Sequence, residues 1–93
     1  MPSLSETCTL EDVFSSRGRV RIVRVLVKAE ELNISEIARR ANLNYRATSN
    51  HLRALGNAGL IQEKRFGRVR IFRFKSENMK ALALKRLVEA WET

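Results

Sequence analysis

The sequence has few of the residues that build metal centres and catalytic sites. It contains one cysteine, one histidine and one aspartate, at Cys8, His51 and Asp12. A metal site or a catalytic triad needs several such groups close together, so we expect no metal, no cofactor and no enzymatic activity. The only proline is Pro2, and no linker rich in Pro, Gly or Ser divides the 93 residues. This length and continuity predict a single domain spanning residues 1–93.

Long hydrophobic runs are also missing. The longest uncharged stretch, residues 54–62, has nine residues, about half of the roughly 18–20 that cross a bilayer. The N-terminus lacks the basic start and apolar run of a secretory signal peptide. We therefore expect a protein that has no membrane partner and works inside the cell.

Positive charge is in excess, and it is concentrated in one segment. The chain carries 18 Lys and Arg against 10 Asp and Glu, a net charge of +8. Residues 39–75 hold ten basic residues and one acid, Glu63, whereas residues 1–38 and 76–93 are close to neutral. A basic surface that only served solubility would spread its charge, so this concentration favours a polyanionic partner over a solvated Arg-rich face.

The sequence predicts one helix before the basic segment and a second helix that continues into it. Apolar residues at helical spacing, among them Ile22 and Leu26, predict a helix from about residue 17 to residue 30, with Ser16 as its N-cap. Its many β-branched residues also suit a strand, but a basic stripe on the opposite face favours the helix. A short helix follows, for which we expect Ser35 to be the N-cap.

Residues 35–58 have the pattern of a helix-turn-helix. Asn42, Leu43 and Asn44 form a turn, and Asn44 is placed to cap the second helix, which ends before Gly59. The inner stripe of this second helix consists of Tyr45, Thr48, Leu52 and Leu55. The polar side chains on its opposite face are Arg46, Ser49, Asn50, Arg53 and Asn57.

Residues 60–75 change to a period of two around Gly67, which predicts a β-hairpin. We expect Phe72 and Phe74 to face the core, and basic residues crowd the tip. A helix-turn-helix followed by such a hairpin predicts a winged helix-turn-helix, a mainly α fold with a small β-hairpin wing.

The last segment, residues 76–93, predicts a helix capped by Ser76. Its apolar residues occupy two stripes, which is more than one small domain needs to bury. One stripe consists of Leu84, Leu87, Val88 and Trp91, and the other of Met79, Leu82, Ala83 and Ala90. We expect the first stripe to form a homodimer interface between terminal helices; the alternative is that both stripes are buried in one monomer.

Five stretches of the chain resemble a known family. Residues 49–55 and 58–61, reading SNHLRAL and AGLI, are similar to the SxHLxxLxxAGLI motif of ArsR-like winged-helix transcriptional regulators. Residues 19–26 and 35–38 resemble the preceding helices of that family, and residues 67–74 resemble its wing. Small winged-helix proteins of archaea and their viruses look similar, and for a viral protein the host cytoplasm is the expected location.

The resemblance implies a homodimer that regulates transcription on double-stranded DNA, with helix 45–58 in the major groove and the wing on the backbone or minor groove. Metal-sensing members carry paired cysteines before the turn or His/Asp clusters in the terminal helix. Residues 35–41 contain no cysteine, and residues 76–93 contain neither histidine nor cysteine, so we predict no metal sensing.

Arginine reads guanine and asparagine reads adenine from the major groove, which identifies candidate contacts. The candidates for base contacts are Tyr45, Arg46, Ser49 and Asn50. The candidates for backbone and wing contacts are Arg39, Arg40, Arg53, Lys64, Arg65, Arg68 and Arg70. Each base contact is alternatively a positioning contact without sequence information. We interpret His51 as a structural residue or a phosphate contact rather than a metal ligand.

Cys8 lies in a short N-terminal arm, residues 1–8. It is either a reduced thiol or one half of an intersubunit Cys8–Cys8 disulfide, which intracellular proteins of hyperthermophiles do form.

The sequence is also compatible with three rival functions. A sequence-neutral architectural DNA-binding protein would carry the same charge. A winged-helix protein-interaction module would have an uncharged or acidic recognition face. RNA binding would use Gly56 to Gly59 as the GxxG loop of a KH domain, but here that stretch ends a helix before a hairpin.

Overall fold

The fold places a three-helix core beside a small antiparallel sheet. The computed structural model describes residues 9–92; Cys8 and the predicted arm lie outside the described residues. The elements are α1 (Leu10–Phe14), α2 (Arg17–Ala29), β1 (Glu31–Asn33), α3 (Ile34–Ala41), α4 (Tyr45–Asn57), β2 (Ile61–Phe66), β3 (Val69–Phe74) and α5 (Met79–Trp91).

The core forms where α2, α3 and α4 turn their apolar stripes toward one another. Ile22 and Leu26 of α2 and Ile37 of α3 are completely buried. Thr48, Leu52 and Leu55 of α4 are buried against them. Burial of this apolar surface is the main favourable contribution to folding. The helical prediction for residues 17–30 is thereby confirmed, and the strand alternative is excluded.

The hairpin is confirmed, and it belongs to a sheet with one more strand than the sequence predicts. The strand order is β1-β3-β2, and both pairs are antiparallel. Gly67, in the turn between β2 and β3, has a φ of 59°, a conformation that glycine adopts without steric cost. Phe72 and Phe74 are buried as expected. The extra strand β1 pairs with residues 71–73 and ties α2 and α3 to the wing.

Two of the predicted helix caps are correct in position and two are displaced. The side chains of Ser16 and Asn44 accept hydrogen bonds from the backbone N–H groups of the first turns of α2 and α4, as predicted. Helix α3 is capped by Asn33 instead of Ser35, because α3 begins two residues earlier than the sequence pattern indicates.

The N-cap of α5 is also displaced by two residues, in this case toward the C-terminus. Its N-cap is Asn78, which accepts from the N–H groups of Lys80 and Ala81 at 2.8 and 3.3 Å. The predicted cap, Ser76, lies in the preceding turn. Asn78 is also the neighbour of Gly59, which ends the α4 region with a φ of 78°.

The two candidate caps of α3 give a test of this register. Asn33 Oδ1 accepts from the Glu36 N–H at 2.8 Å, whereas Ser35 is an exposed residue inside the helix. We expect Asn33→Ala to lower the free energy of unfolding by about 1 kcal/mol through loss of the cap. The matched variant Ser35→Ala should change it by less than about 0.5 kcal/mol. Urea denaturation measures the free energy of unfolding of both variants. A larger loss in Ser35→Ala than in Asn33→Ala would place the cap at Ser35.

Candidate nucleic-acid interface

Helix α4 presents its polar face to solvent because its other face is fully buried. Thr48 Oγ1 donates to the Asn44 carbonyl at 2.8 Å, so this buried hydroxyl is satisfied within the helix. Arg46, Asn50 and Arg53 are exposed on the opposite side. The predicted polar face therefore points outward, and its arginine and asparagine side chains are free of the core.

Tyr45 departs from the sequence interpretation. It was expected on the inner stripe, but 55% of its surface is exposed. Because Tyr45 is the first residue of α4, its ring lies beyond the edge of the core. The residue belongs with the polar surface of α4, where it was also expected to contact DNA.

Two arginines of α3 lie next to the turn that precedes α4. Glu36 Oε1 accepts hydrogen bonds from both Arg39 and Arg40, the latter at 3.0 Å. These bonds, first that with Arg39, lower the pKa of the Glu36 carboxyl to about 2. The carboxylate pairs with both exposed guanidinium groups, and α3 ends directly after them at Asn42 in the turn.

The wing carries its positive charge near the hairpin turn. Lys64, Arg65 and Arg68 are all exposed. Lys64 lies 4.0 Å from Glu31, and Arg65 lies 3.5 Å from Glu63, distances typical of weak surface ion pairs. Phe66 is also exposed at the tip, so the tip combines cationic and aromatic surface.

Arg70 differs from the other wing arginines, because it points inward and joins the wing to α4. Its Nε donates to Glu63 at 2.8 Å, and its Nη1 donates to the hydroxyls of Tyr45 and Ser49 at 3.0 and 3.2 Å. Only 19% of its side-chain surface is exposed. We call Arg70, Glu63, Tyr45 and Ser49 the Arg70 cluster.

This geometry places Arg70, one of the predicted backbone and wing contacts, between the wing and α4 instead of at the tip of the hairpin. The period of the strand predicts the inward direction of Arg70. Arg70 is two residues before Phe72, so both side chains lie on the same face of β3. The guanidinium carbon lies 5.3 Å from the centre of the Phe72 ring. Hydrogen bonds to Glu63 and then Tyr45 raise the pKa of Arg70 further above its already high ordinary value.

His51 is a structural residue on the inner flank of α4, consistent with one of the two interpretations. Its Nδ1 accepts from Arg19 Nε at 3.3 Å, and its Nε2 lies 3.5 Å from Ser16 Oγ. Arg19 also donates to the carbonyl of Asp12 at 2.7 Å, so this histidine connects α4 to α2 and α1. A Cβ at Gly18 would come within 3.0 Å of His51 Nε2, which shows how closely the two helices approach.

A separate apolar surface lies across α1 and α5. Leu10, Phe14, Leu87 and Trp91 are exposed there, Trp91 by 84%; we call these four residues the α1–α5 surface. Leu84, one of the predicted interface residues, is buried beneath this surface and supports it. Val88, also expected there, is partly buried against the core.

The final turn of α5 is held to α2 by an ion pair. Glu92 contacts both Arg24 and Lys28, the latter at 3.6 Å. Hydrogen bonding to Arg24 lowers the pKa of Glu92. These contacts fix the end of the helix that carries Trp91.

The described residues hold neither a metal cluster nor a membrane-spanning helix. Residues 9–92 contain no cluster of three or more His, Cys, Asp or Glu side chains suited to a metal ion. No helix in that range is both long and apolar enough to cross a bilayer.

Helices α3 and α4 together with the β2–β3 hairpin define a winged helix-turn-helix protein, and comparison with solved structures agrees. HlyU from Vibrio cholerae N16961 superposes with a TM-score of 0.74 at 22% identity, over 88% of this chain and 86% of that one. The AntR antimony-specific transcriptional repressor gives a TM-score of 0.72 at 20% identity, over 85% of this chain and 69% of AntR. The ArsR family transcriptional regulator RHA00566 gives 0.60 at 24% identity, over 87% and 84% of the two chains.

The sequence itself identifies the family. The profile of the family described as "Bacterial regulatory protein, arsR family" matches residues 16–63, just over half of the chain. The protein therefore belongs to the ArsR family, whose members are DNA-binding transcriptional regulators and not enzymes. No curated protein sequence matches the chain at a significant level.

The environment of His51 predicts a pH dependence. Burial, and next the charge of Arg19, lower the pKa of His51 below 6.5. Between that lowered value and 6.5, the unfolded chain binds more protons than the folded protein, so the free energy of unfolding should fall as the pH falls. A titration of the ring by NMR measures the pKa directly, because the chain has one histidine.

Chemical denaturation between about pH 5 and about pH 7.5 supplies the second measurement. We expect His51→Gln to flatten the dependence in this interval, since glutamine does not titrate. A ring pKa at or above 6.5 in the folded protein would contradict the partly buried position of His51 beside Arg19.

Proposed function

We propose that this protein is a sequence-specific regulator that binds double-stranded DNA, with α4 in the major groove and the wing on the backbone or minor groove. The single observation that carries the proposal is the Arg70 cluster. It joins β3 to the first turns of α4, so the polar face of α4 and the basic wing form one continuous surface. A B-DNA major groove is about 12 Å wide and admits one helix, while the adjacent backbone is within reach of a wing.

Each element of this surface has a proposed role. Arg46 and Asn50, exposed on the outward face of α4, are the proposed base readers, and Tyr45 and Ser49 lie beside them. The proposed phosphate contacts are Arg39, Arg40, Arg53, Lys64, Arg65 and Arg68. Arg70, which is held by Glu63, acts within the protein instead.

We propose further that the protein is a homodimer that pairs through the α1–α5 surface. An exposed tryptophan beside three other exposed apolar side chains is costly in a monomer, because apolar surface in water is unfavourable. Two copies would place two α4 helices in successive major grooves, about 34–36 Å apart, on a pseudo-palindromic site. The proposed ligand, chromosomal or viral DNA, places the protein inside the cell.

The base and backbone roles separate in a binding experiment. We expect Arg46→Ala to weaken binding to the preferred duplex by about 1–3 kcal/mol and to relax one base position. Arg68→Ala, the matched control on the wing, should weaken all duplexes to a similar degree. Fluorescence anisotropy with duplexes selected from random DNA measures both effects.

The salt dependence of binding in the same assay tests the electrostatic contribution of the phosphate contacts to DNA affinity. The logarithm of the binding constant should fall with the logarithm of salt concentration by about 0.9 per neutralised phosphate. A flat titration would contradict DNA binding by this surface. A ratio of specific to nonspecific affinity well below about 10³ would favour a sequence-neutral architectural protein instead.

The dimer proposal is tested at Trp91. We expect Trp91→Ser to shift the protein from dimer to monomer, because it removes the most exposed side chain of the proposed interface. Phe66→Ser, which removes another exposed aromatic residue but lies on the wing, should leave the oligomeric state unchanged. Sedimentation velocity measures both variants, and a wild-type monomer at micromolar concentration would overturn the proposal.

A further inference from the structure

Arg70 fixes the direction in which two hydroxyl groups of α4 hydrogen-bond. Its Nη1 lies 3.0 Å from Tyr45 Oη and 3.2 Å from Ser49 Oγ. A guanidinium group has only donors, so both hydroxyl oxygens act as acceptors in these bonds. The two residues are four apart and therefore lie on the same face of the helix.

Each hydroxyl keeps one hydrogen atom that this contact does not use. Within residues 9–92, the structure shows no second hydrogen bond for either hydroxyl. Tyr45 is exposed and Ser49 is partly exposed on the outward side of α4. The remaining O–H groups are therefore available to donate to a molecule that lies against this face.

The position of Arg70 is determined by other contacts, so this arrangement does not depend on the two hydroxyls. Glu63 accepts from Arg70 Nε at 2.8 Å and from Nη2 at 3.4 Å, and the Phe72 ring lies beneath the guanidinium. The same bonds occupy Glu63, the one acidic residue between residues 39 and 75. Its carboxylate is thereby withheld from the cytosine amino group, which Glu reads in other proteins.

The neighbouring Arg46 is also a pure donor, so three side chains in the first turns of α4 present donors outward. In the major groove, guanine is the base that presents two acceptors, N7 and O6, and no donor. Cytosine presents a donor, adenine presents one of each, and thymine presents a single acceptor, O4, beside a methyl group. A surface of donors is therefore complementary to guanine.

We propose that Arg70 is a positioning residue for DNA specificity: it makes Tyr45 and Ser49 act as donors, so that the start of α4 selects guanine in each half-site. This inference rests on the proposed function, since it needs α4 to lie in the major groove. Without Arg70 the same two hydroxyls would be able to accept as well as donate, and they would tolerate adenine or cytosine.

The first experiment uses the wild-type protein and the duplex recovered by selection from random DNA. Guanines of that duplex are replaced one at a time by 7-deazaguanine, which pairs normally but lacks the N7 acceptor. We expect at least one replacement in each half-site to weaken binding by about tenfold, the equivalent of a single lost hydrogen bond. A selected site without guanine, or one that tolerates every replacement, overturns the inference.

The second experiment asks whether Arg70 acts through the two hydroxyls. At a guanine whose 7-deaza replacement still weakens the binding of Arg46→Ala, Arg70→Met should reduce the preference for guanine over 7-deazaguanine to within about twofold, because the hydroxyls lose their fixed direction. Arg65→Met is the control: it removes a wing charge that contacts Glu63 but not α4, and it should keep the preference while weakening binding to all duplexes. An unchanged preference in Arg70→Met overturns the inference.

A double variant keeps the test decisive if Arg70→Met does not fold. Tyr45→Phe combined with Ser49→Ala leaves the Arg70–Glu63 pair in place and should lose the same preference. Contacts of these hydroxyls with phosphates would instead leave the preference intact, and that result also overturns the inference. The proposed function fails separately: in that case selection yields no consensus and Arg46→Ala has no specific effect.

Discussion

The packing of α4 against α2 and α3 is the constraint on which the rest of the structure depends. Thr48, Leu52 and Leu55 are at most 1% exposed, so the helix has one rotation about its axis in which its apolar side chains are buried. That rotation directs Arg46, Asn50 and Arg53 into solvent. The exposed polar face of α4 is therefore a consequence of core packing, and a helix rotated by a quarter turn would bury charge at a high cost.

Charge pairing then organises the surface that the core exposes. Glu36 and Glu63 each hold two arginines, and their carboxyl groups have lowered pKa values because of these bonds, first those with Arg39 and Arg70 respectively. Such exposed pairs add little to stability. These pairs instead influence where the arginine side chains point. Glu36 pairs with Arg39 and Arg40 near the turn, and Glu63 holds Arg70 against α4. Arg53, Lys64, Arg65 and Arg68 face outward as well.

The sequence predicts those helices, caps and strands whose formation depends on residues close together in the chain. The stripes of α2 and α4, the caps Ser16 and Asn44 and the alternation of the hairpin are visible because each repeats with the period of its element. The strand β1 is not visible, since three residues carry no period and their pairing partner lies about 40 residues away in the chain. The displaced caps have a similar origin: two cap-forming residues stand two apart, and tertiary packing decides between them.

The sequence predicts which residues belong to the candidate site, but it does not predict the contacts between them. The exposed arginines of the helix-turn-helix and wing follow from charge and period. The inward direction of Arg70 follows from its register with Phe72, yet its contacts with Tyr45 and Ser49 depend on how the wing packs beside α4. The buried position of Leu84, in contrast, depends on the angle at which α5 crosses the core, for which the sequence contains no local signal.

The most direct test of the account is a map of backbone amide chemical shifts on addition of a DNA duplex to the isotopically labelled protein. We expect the largest shifts on residues 45–53 of α4 and on residues 63–70 of the wing. Shifts concentrated instead on α1 and α5, or the same small shifts throughout the chain, would contradict it.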